Sequence, residues 1–153
     1  MCASAKTCCC CSIPCWPKPR PAVGRRDVNL DPDLQAACAR AAQALLDRLE
    51  DARAVVVATE DGFDVACAAR QGVEAARLAA MTSSITAIGE VASREADMGA
   101  VTSFVVDAQA GYLVLRPCRR GGVRLVLAAL THRQVLLGLV LHAVAEAARG
   151  LEA

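Results

Sequence analysis

No lysine occurs after residue 18; Lys6 and Lys18 stand against 15 arginines. This absence excludes a Walker-type phosphate-binding lysine and a kinase-type catalytic lysine in the body of the chain. It also leaves no lysine there for a Schiff base. Aromatics are nearly as scarce, with one Trp, one Tyr and two Phe. Single-stranded nucleic acids are held by basic grooves with interleaved aromatics, so no nucleic-acid surface is expected. The two histidines, His132 and His142, lie ten positions apart. Metal-binding pairs on one helix sit three or four apart, so the expectation is one His near a helix start and one on a helix surface. No run of 18 apolar residues occurs, and the N-terminus has no apolar core of signal-peptide length. Neither a transmembrane helix nor a secretory signal is therefore expected. The motifs G-x-S-x-G, H-E-x-x-H and G-x-G-x-x-G are all missing. A net charge of +1 gives no overall field toward acidic partners.

What remains is a chain of 153 residues, 55% hydrophobic, with 32 alanines. That length fits one domain plus a tail and is enough to bury a core without disulfides or metal. Charge and composition divide it near residue 30. Residues 1–30 carry five bases and one acid (+4), and residues 31–153 carry twelve bases and fifteen acids (−3). The tail holds six of the nine cysteines: Cys2, Cys8, Cys9, Cys10, Cys11 and Cys15. Pro14, Pro17, Pro19 and Pro21 follow and exclude a regular helix. Residues 1–30 read as a Cys/Pro-rich, basic, disordered tail. A second reading is that translation starts later and residues 1–28 are not made. A third is a thiol or soft-metal module, since Cys8 and Cys11 form a C-x-x-C with Cys15 four further on. Zinc sites usually take two separated ligand pairs, and no second pair follows. Without export the thiols are expected to stay reduced.

From Asp31 the pattern becomes regular. Asp31-Pro32-Asp33 supplies a cap, a first-turn proline and a first-turn acid, predicting a helix over about 32–51. Ala54–Ala58 reads as a strand buried on both faces. Glu60-Asp61-Gly62 is a hairpin turn, and Phe63–Ala69 the second strand. Residues 74–96 form a helix, with Leu78, Met81, Ile85, Ile88 and Ala92 spaced by three or four. Gly89 inside it predicts a close approach of another element. Strands follow at Val101–Val106, Tyr112–Arg116 and Val123–Ala129, with Pro117–Gly122 as a loop. A last helix covers about 133–151. The order α-β-β-α-β-β-β-α, with hairpins dominating, predicts the α+β class with an antiparallel sheet.

Few residues offer chemistry. Cys38 and Cys67 fall on apolar positions and read as core, whereas Cys118 falls in a hairpin loop and reads as exposed. Asp61 and Asp64 flank a turn, and turn chemistry accounts for them. Arg116, Arg119, Arg120 and Arg124 cluster around the last hairpin. They read as a solvated loop or as a contact to an anion or partner, in the manner of an arginine finger.

These residues carry a resemblance. Ala54-Val-Val-Val-Ala-Thr-Glu-Asp-Gly-Phe-Asp-Val-Ala66 resembles the opening hairpin of roadblock/dynein light chain domains. Leu78-Ala-Ala-Met-Thr-Ser-Ser-Ile85 is similar to their central helix. Gly111–Leu115, Leu125–Leu130 and Leu137-Gly-Leu139 match the later strands and the last helix. The ordered set covers about residues 32–152, and the tail has no counterpart.

The resemblance implies a profilin-like sandwich: a five-stranded antiparallel sheet with two helices on one face and one on the other. It implies no active site, no cofactor and no metal. It implies a cytoplasmic homodimer formed through the central helix and the neighbouring edge strand, here Met81, Ser84, Ile85, Ile88, Val101 and Phe104. It implies a small Ras-like GTPase as partner, whose hydrolysis some family members promote, with Arg119 and Arg120 as candidate contacts. The alternatives are a purely structural interaction subunit, or a module working through the N-terminal cysteines.

Overall fold

The first helix starts for a local reason. In the computed structural model, which describes residues 30–70 and 72–153, the first helix α1 spans Pro32–Arg48. The Asp31 carboxylate accepts from the Asp33 amide at 3.0 Å, and Pro32 takes the first turn. The helix stops three residues before the predicted end, because Leu49 turns extended. Arg70 holds that end. Its guanidinium donates to the carbonyls of Leu46 (2.7 Å), Leu49 (2.9 Å), Glu50 and Ala52 (3.2 Å). A fixed cation there satisfies carbonyls that the helix leaves open and opposes its negative dipole end. Arg70→Ala is expected to cost about 2 kcal/mol of folding stability, with only part returned by lysine, a single-point donor. Urea unfolding of the full chain checks this; an unchanged midpoint would refute it.

The remaining elements are β1 (Ala52–Thr59), β2 (Asp64–Ala69), α2 (Ala75–Glu95), β3 (Phe104–Ala108), β4 (Gly111–Arg120), β5 (Val123–His132) and α3 (Leu137–Glu152). The strands form one antiparallel sheet in the order β2-β1-β5-β4-β3. Alternation along the strands sorts the core into two layers. Val55, Val57, Val114, Leu125 and Leu127 pack under α1 and α3 on one face. Val56, Ala58, Leu115, Val126 and Ala128 pack under α2 on the other. This is the sandwich the sequence predicts, with β1 buried on both faces as expected for a central strand. Gly62 sits at φ +89° in the first hairpin turn.

Several boundaries differ from the sequence expectation. The segment Pro117–Gly122 is not a loop: β4 runs through it to Arg120, and only Gly121 and Gly122 turn, both at positive φ. Proline is tolerated at 117 because β3 pairs with β4 only as far as Leu115, so beyond it one side of β4 is an edge. Cys118 is accordingly buried within β4, not exposed. Cys67 errs the other way. It faces outward on the edge strand β2, while Cys38 lies in the core as expected. β3 starts at Phe104, so Val101 precedes it in a half-buried connection. The last helix starts at Leu137 instead of 133, because Arg133 is used elsewhere. Its guanidinium lies 4.8 Å from the Tyr112 ring centre and bonds Asp107 and the Ala108 carbonyl, which pins the β3–β4 hairpin. His142 lies on the exposed side of α3, as expected, whereas His132 ends β5, five residues before α3 begins, and not at a helix start.

Candidate interaction surface

The helix α2 has two unlike sides. Its fully buried positions are small or polar: Ala79, Thr82, Thr86 and Ser93. Buried hydroxyls need partners. Thr82 donates to the Leu78 carbonyl at 2.7 Å, Thr86 to the Thr82 carbonyl at 2.9 Å, and Ser93 to the Gly99 carbonyl at 2.8 Å. The outer side carries exposed large apolar residues. Met81 is 53% exposed, Ile88 71% and Val91 50%. The apolar spacing noted in the sequence therefore does not mark one buried stripe. Leu78 and Ile85 pack toward the sheet, whereas Met81 and Ile88 face solvent.

Beside this outer side lies the unpaired edge of the sheet. β3 pairs only with β4, and Val105 and Val106 are exposed along it. Helix and edge meet where Phe104 packs on Gly89. A methyl group added at Gly89 would lie 1.9 Å from the Phe104 ring. This is the close approach that a mid-helix glycine predicts.

Among the residues marked in the sequence, Met81, Ser84 and Ile88 come together on the outer side of α2. Ile85 and Phe104 belong to the layer beneath it. Val101 lines a cavity of about 530 Å³ with Glu90, Arg94 and Arg124. Sequence reasoning missed Val91, Val105 and Val106. The spacing 81, 84, 88, 91 was available as a signal for Val91, but a second apolar stripe on one helix is legible only once the first is known to face the sheet.

The arginine cluster divides. Arg119 is exposed and makes no side-chain bond among the described residues. Arg120 donates to the Leu151 carbonyl at 2.8 Å and so holds the end of α3. Arg124 joins three elements, with Glu60 at 2.8 Å and Glu90 of α2 at 3.2 Å. Arg116 also makes no side-chain bond among the described residues but is half-buried, so Arg119 is the more exposed of the two left without an internal contact.

Titration supports no nucleophile. Burial pushes the Cys118 thiol up to about 12, with Glu152 adding to the rise. Burial also raises Cys38, against a lowering by Arg120, and raises Cys67 together with Asp64. A nucleophilic thiol needs the opposite shift. Among the described residues no group of three or more His, Cys, Asp or Glu is placed to hold a metal ion. No helix among them is long and apolar enough to cross a membrane. The N-terminal cysteine cluster lies outside the described residues.

The Roadblock/LC7 domain model matches residues 39–129, more than half of the chain and the span from α1 to β5. The chain belongs to the Roadblock/LC7 family. Its fold matches solved structures of that family. A Roadblock/LC7 domain from Streptomyces avermitilis aligns with a TM-score of 0.65 and 21% identity, over 72% of this chain and 91% of that one. MglB of Myxococcus xanthus aligns at 0.61 and 19%, over 77% and 84%. MglC of the same organism aligns at 0.52 and 14%, over 75% and 96%. No curated protein matches the chain in sequence. Roadblock/LC7 domains are regulatory adaptors.

Proposed function

We propose that this Roadblock chain is a cytoplasmic, non-catalytic homodimer that binds and regulates a small Ras-like GTPase. The domain at 31–153 does the work, and the basic tail at 1–30 is an appendage. One observation carries the reading: an exposed apolar stripe on α2, Met81, Ile88 and Val91, runs beside an unpaired strand edge on which Val105 and Val106 are exposed, one on each face of the sheet. Left open, an apolar edge strand invites aggregation. Self-association through β3 and α2 covers both features at once. The solvent-facing Arg119 is then the candidate contact to the GTPase, while Arg120 is kept by α3. Regulation needs no inserted arginine, because a dimer that binds one nucleotide state preferentially orders the switch loops of its partner.

The test uses the full chain as bait in host lysate, once with GDP and once with a non-hydrolysable GTP analogue. A small GTPase is expected to be enriched in one nucleotide state only. Recovery of no GTPase in either state would overturn the reading. With the partner in hand, GTP hydrolysis measured with and without the chain separates a regulator from a structural subunit. A stimulation that survives Arg119→Ala assigns the effect to switch ordering.

A further inference from the structure

On the face of the sheet away from α2, the helices α1 and α3 leave an open groove of about 470 Å³ between them. Its two sides are rows of small residues: Ala37, Ala41 and Ala44 on α1, and Ala143, Ala147 and Gly150 on α3. The spacings are four and three in both rows, so each row follows one side of its helix. The larger lining residues Leu45 and Leu151 are buried in the core and do not fill the space. A methyl group added at Gly150 would meet nothing within 4 Å. Helices pack by setting a ridge of side chains into a groove. Here the groove is present and the ridge is missing. The groove is also charged. Arg40, Arg48 and Arg120 line it against one acid, Glu146, so three bases and one acid give +2. Residues 31–153 as a whole carry −3, and the cations are gathered here against that trend. Glu146 is already met by Arg48 at 3.0 Å and by Arg149 at 3.2 Å. The Arg48 guanidinium beside it holds its carboxyl below the usual carboxylate range. Arg40 is exposed and has no ion-pair partner among the described residues.

We propose that the groove between α1 and α3 seats an acidic amphipathic helix of a partner protein. Its large apolar side chains enter between the two rows of small residues, and its flanking carboxylates meet Arg40 and the arginine rim. From Ala37 to Arg48 the groove runs about 16 Å at the rise of a helix. Three turns of a partner helix cover that length, with apolar anchors spaced by four and three. Charge decides among the occupants within reach. The chain's own tail leaves the fold at Leu30, beside Arg120, but residues 1–30 carry +4 and are repelled. The same groove of a second copy would set arginines against arginines and offers no ridge. An acidic partner is attracted by the rim and selected by it, while its buried apolar anchors hold it. The groove lies on the opposite face of the sheet from α2, so covering α2 and the β3 edge leaves it open. It is therefore a separate surface, and it stands whether or not the chain binds a GTPase.

The test titrates the full chain, thiols reduced, with a fluorescent helical peptide of about 16 residues, its leucines spaced by four and three and flanked by glutamates. A second peptide carries lysine in place of every glutamate. The acidic peptide binds in the micromolar range, and the lysine peptide roughly tenfold more weakly or worse at low salt. That preference shrinks near about 0.5 M salt, as exposed charges are screened. R40E weakens the acidic peptide roughly tenfold and tightens the lysine peptide, which also shows that the variant is folded. A44W fills the groove from an exposed position and weakens both peptides roughly thirtyfold, with circular dichroism unchanged. Hydrogen exchange with the acidic peptide bound slows in α1 and α3. An acidic peptide that does not bind, or binds no better than the lysine peptide, would overturn the proposal. So would binding unmoved by R40E and A44W, or protection that falls on α2 instead. Dodecanoate binding in the groove more tightly than the peptide would assign it to an acyl anion. Protection of α1 and α3 that rises with chain concentration alone would assign it to a second copy. Either result also overturns the partner helix.

Discussion

Replacing Ile88 by aspartate yields a folded monomer. Ile88 is 71% exposed on α2 and takes no part in either core layer, so the change spares the fold. In the proposed dimer it lies within the exposed α2 stripe, and two-fold symmetry brings two copies of it into the interface. Desolvating two unpaired carboxylates there raises the dissociation constant more than about a hundredfold, or about 3 kcal/mol, in line with central interface positions. Circular dichroism equal to that of the wild type, with half its mass by light scattering, is the expected pair of results. A variant that still dimerises at micromolar concentration would place the interface elsewhere.

Replacing Gly111 by alanine strikes the fold instead. Gly111 opens β4, paired with Ala108 of β3 on one side and His132 of β5 on the other. A methyl group there would lie 1.9 Å from the Thr131 carbonyl oxygen and 3.0 Å from its carbon. Both atoms are backbone, held in β5 between β1 and β4, so no side chain can swing aside. The strands must part locally, at a cost of about 3 kcal/mol and about 10 °C in Tm. Gly138, where an added methyl meets nothing within 4 Å, is the control. The same exchange there is expected to leave Tm unchanged or slightly raised. Equal Tm values for the two variants would refute the crowding at Gly111. Since the β3–β4 hairpin carries the free edge, Gly111→Ala is also expected to weaken dimerisation.

The architecture was legible because its signals are local. The capped start at Asp31-Pro32, the doubly buried run at Val55–Val57, the Asp-Gly turn and the apolar period of α3 each depend on neighbours within one or two turns of chain. Together with the resemblance, they were enough for element order, sheet class and layer arrangement. Three of the misjudged boundaries share one cause, which is contact distant in sequence. Arg70 ends α1 from 21 residues beyond Leu49. Pro117 sits within β4 because β3 stops short of it. Arg133 delays α3 because it serves the β3–β4 hairpin.

For the candidate surface the division is sharper. Composition and missing motifs narrowed the chemistry to look for, since no lysine follows residue 18 and the two histidines lie ten positions apart. Helical spacing brought Met81, Ser84 and Ile88 forward. Whether those residues face the sheet or the solvent depends on the small side of α2, where Ala79, Thr82 and Thr86 pack under hydrogen bonds to their own helix. A polar threonine reads as surface until its hydroxyl is seen to be satisfied. In the same way, Arg119 and Arg120 are equivalent as neighbours in sequence, and only the Leu151 carbonyl tells them apart. Periodicity and turn chemistry determined which elements exist, because both act along the chain. The tertiary structure decided which face of each element is left uncovered, because that depends on what arrives from elsewhere to cover it.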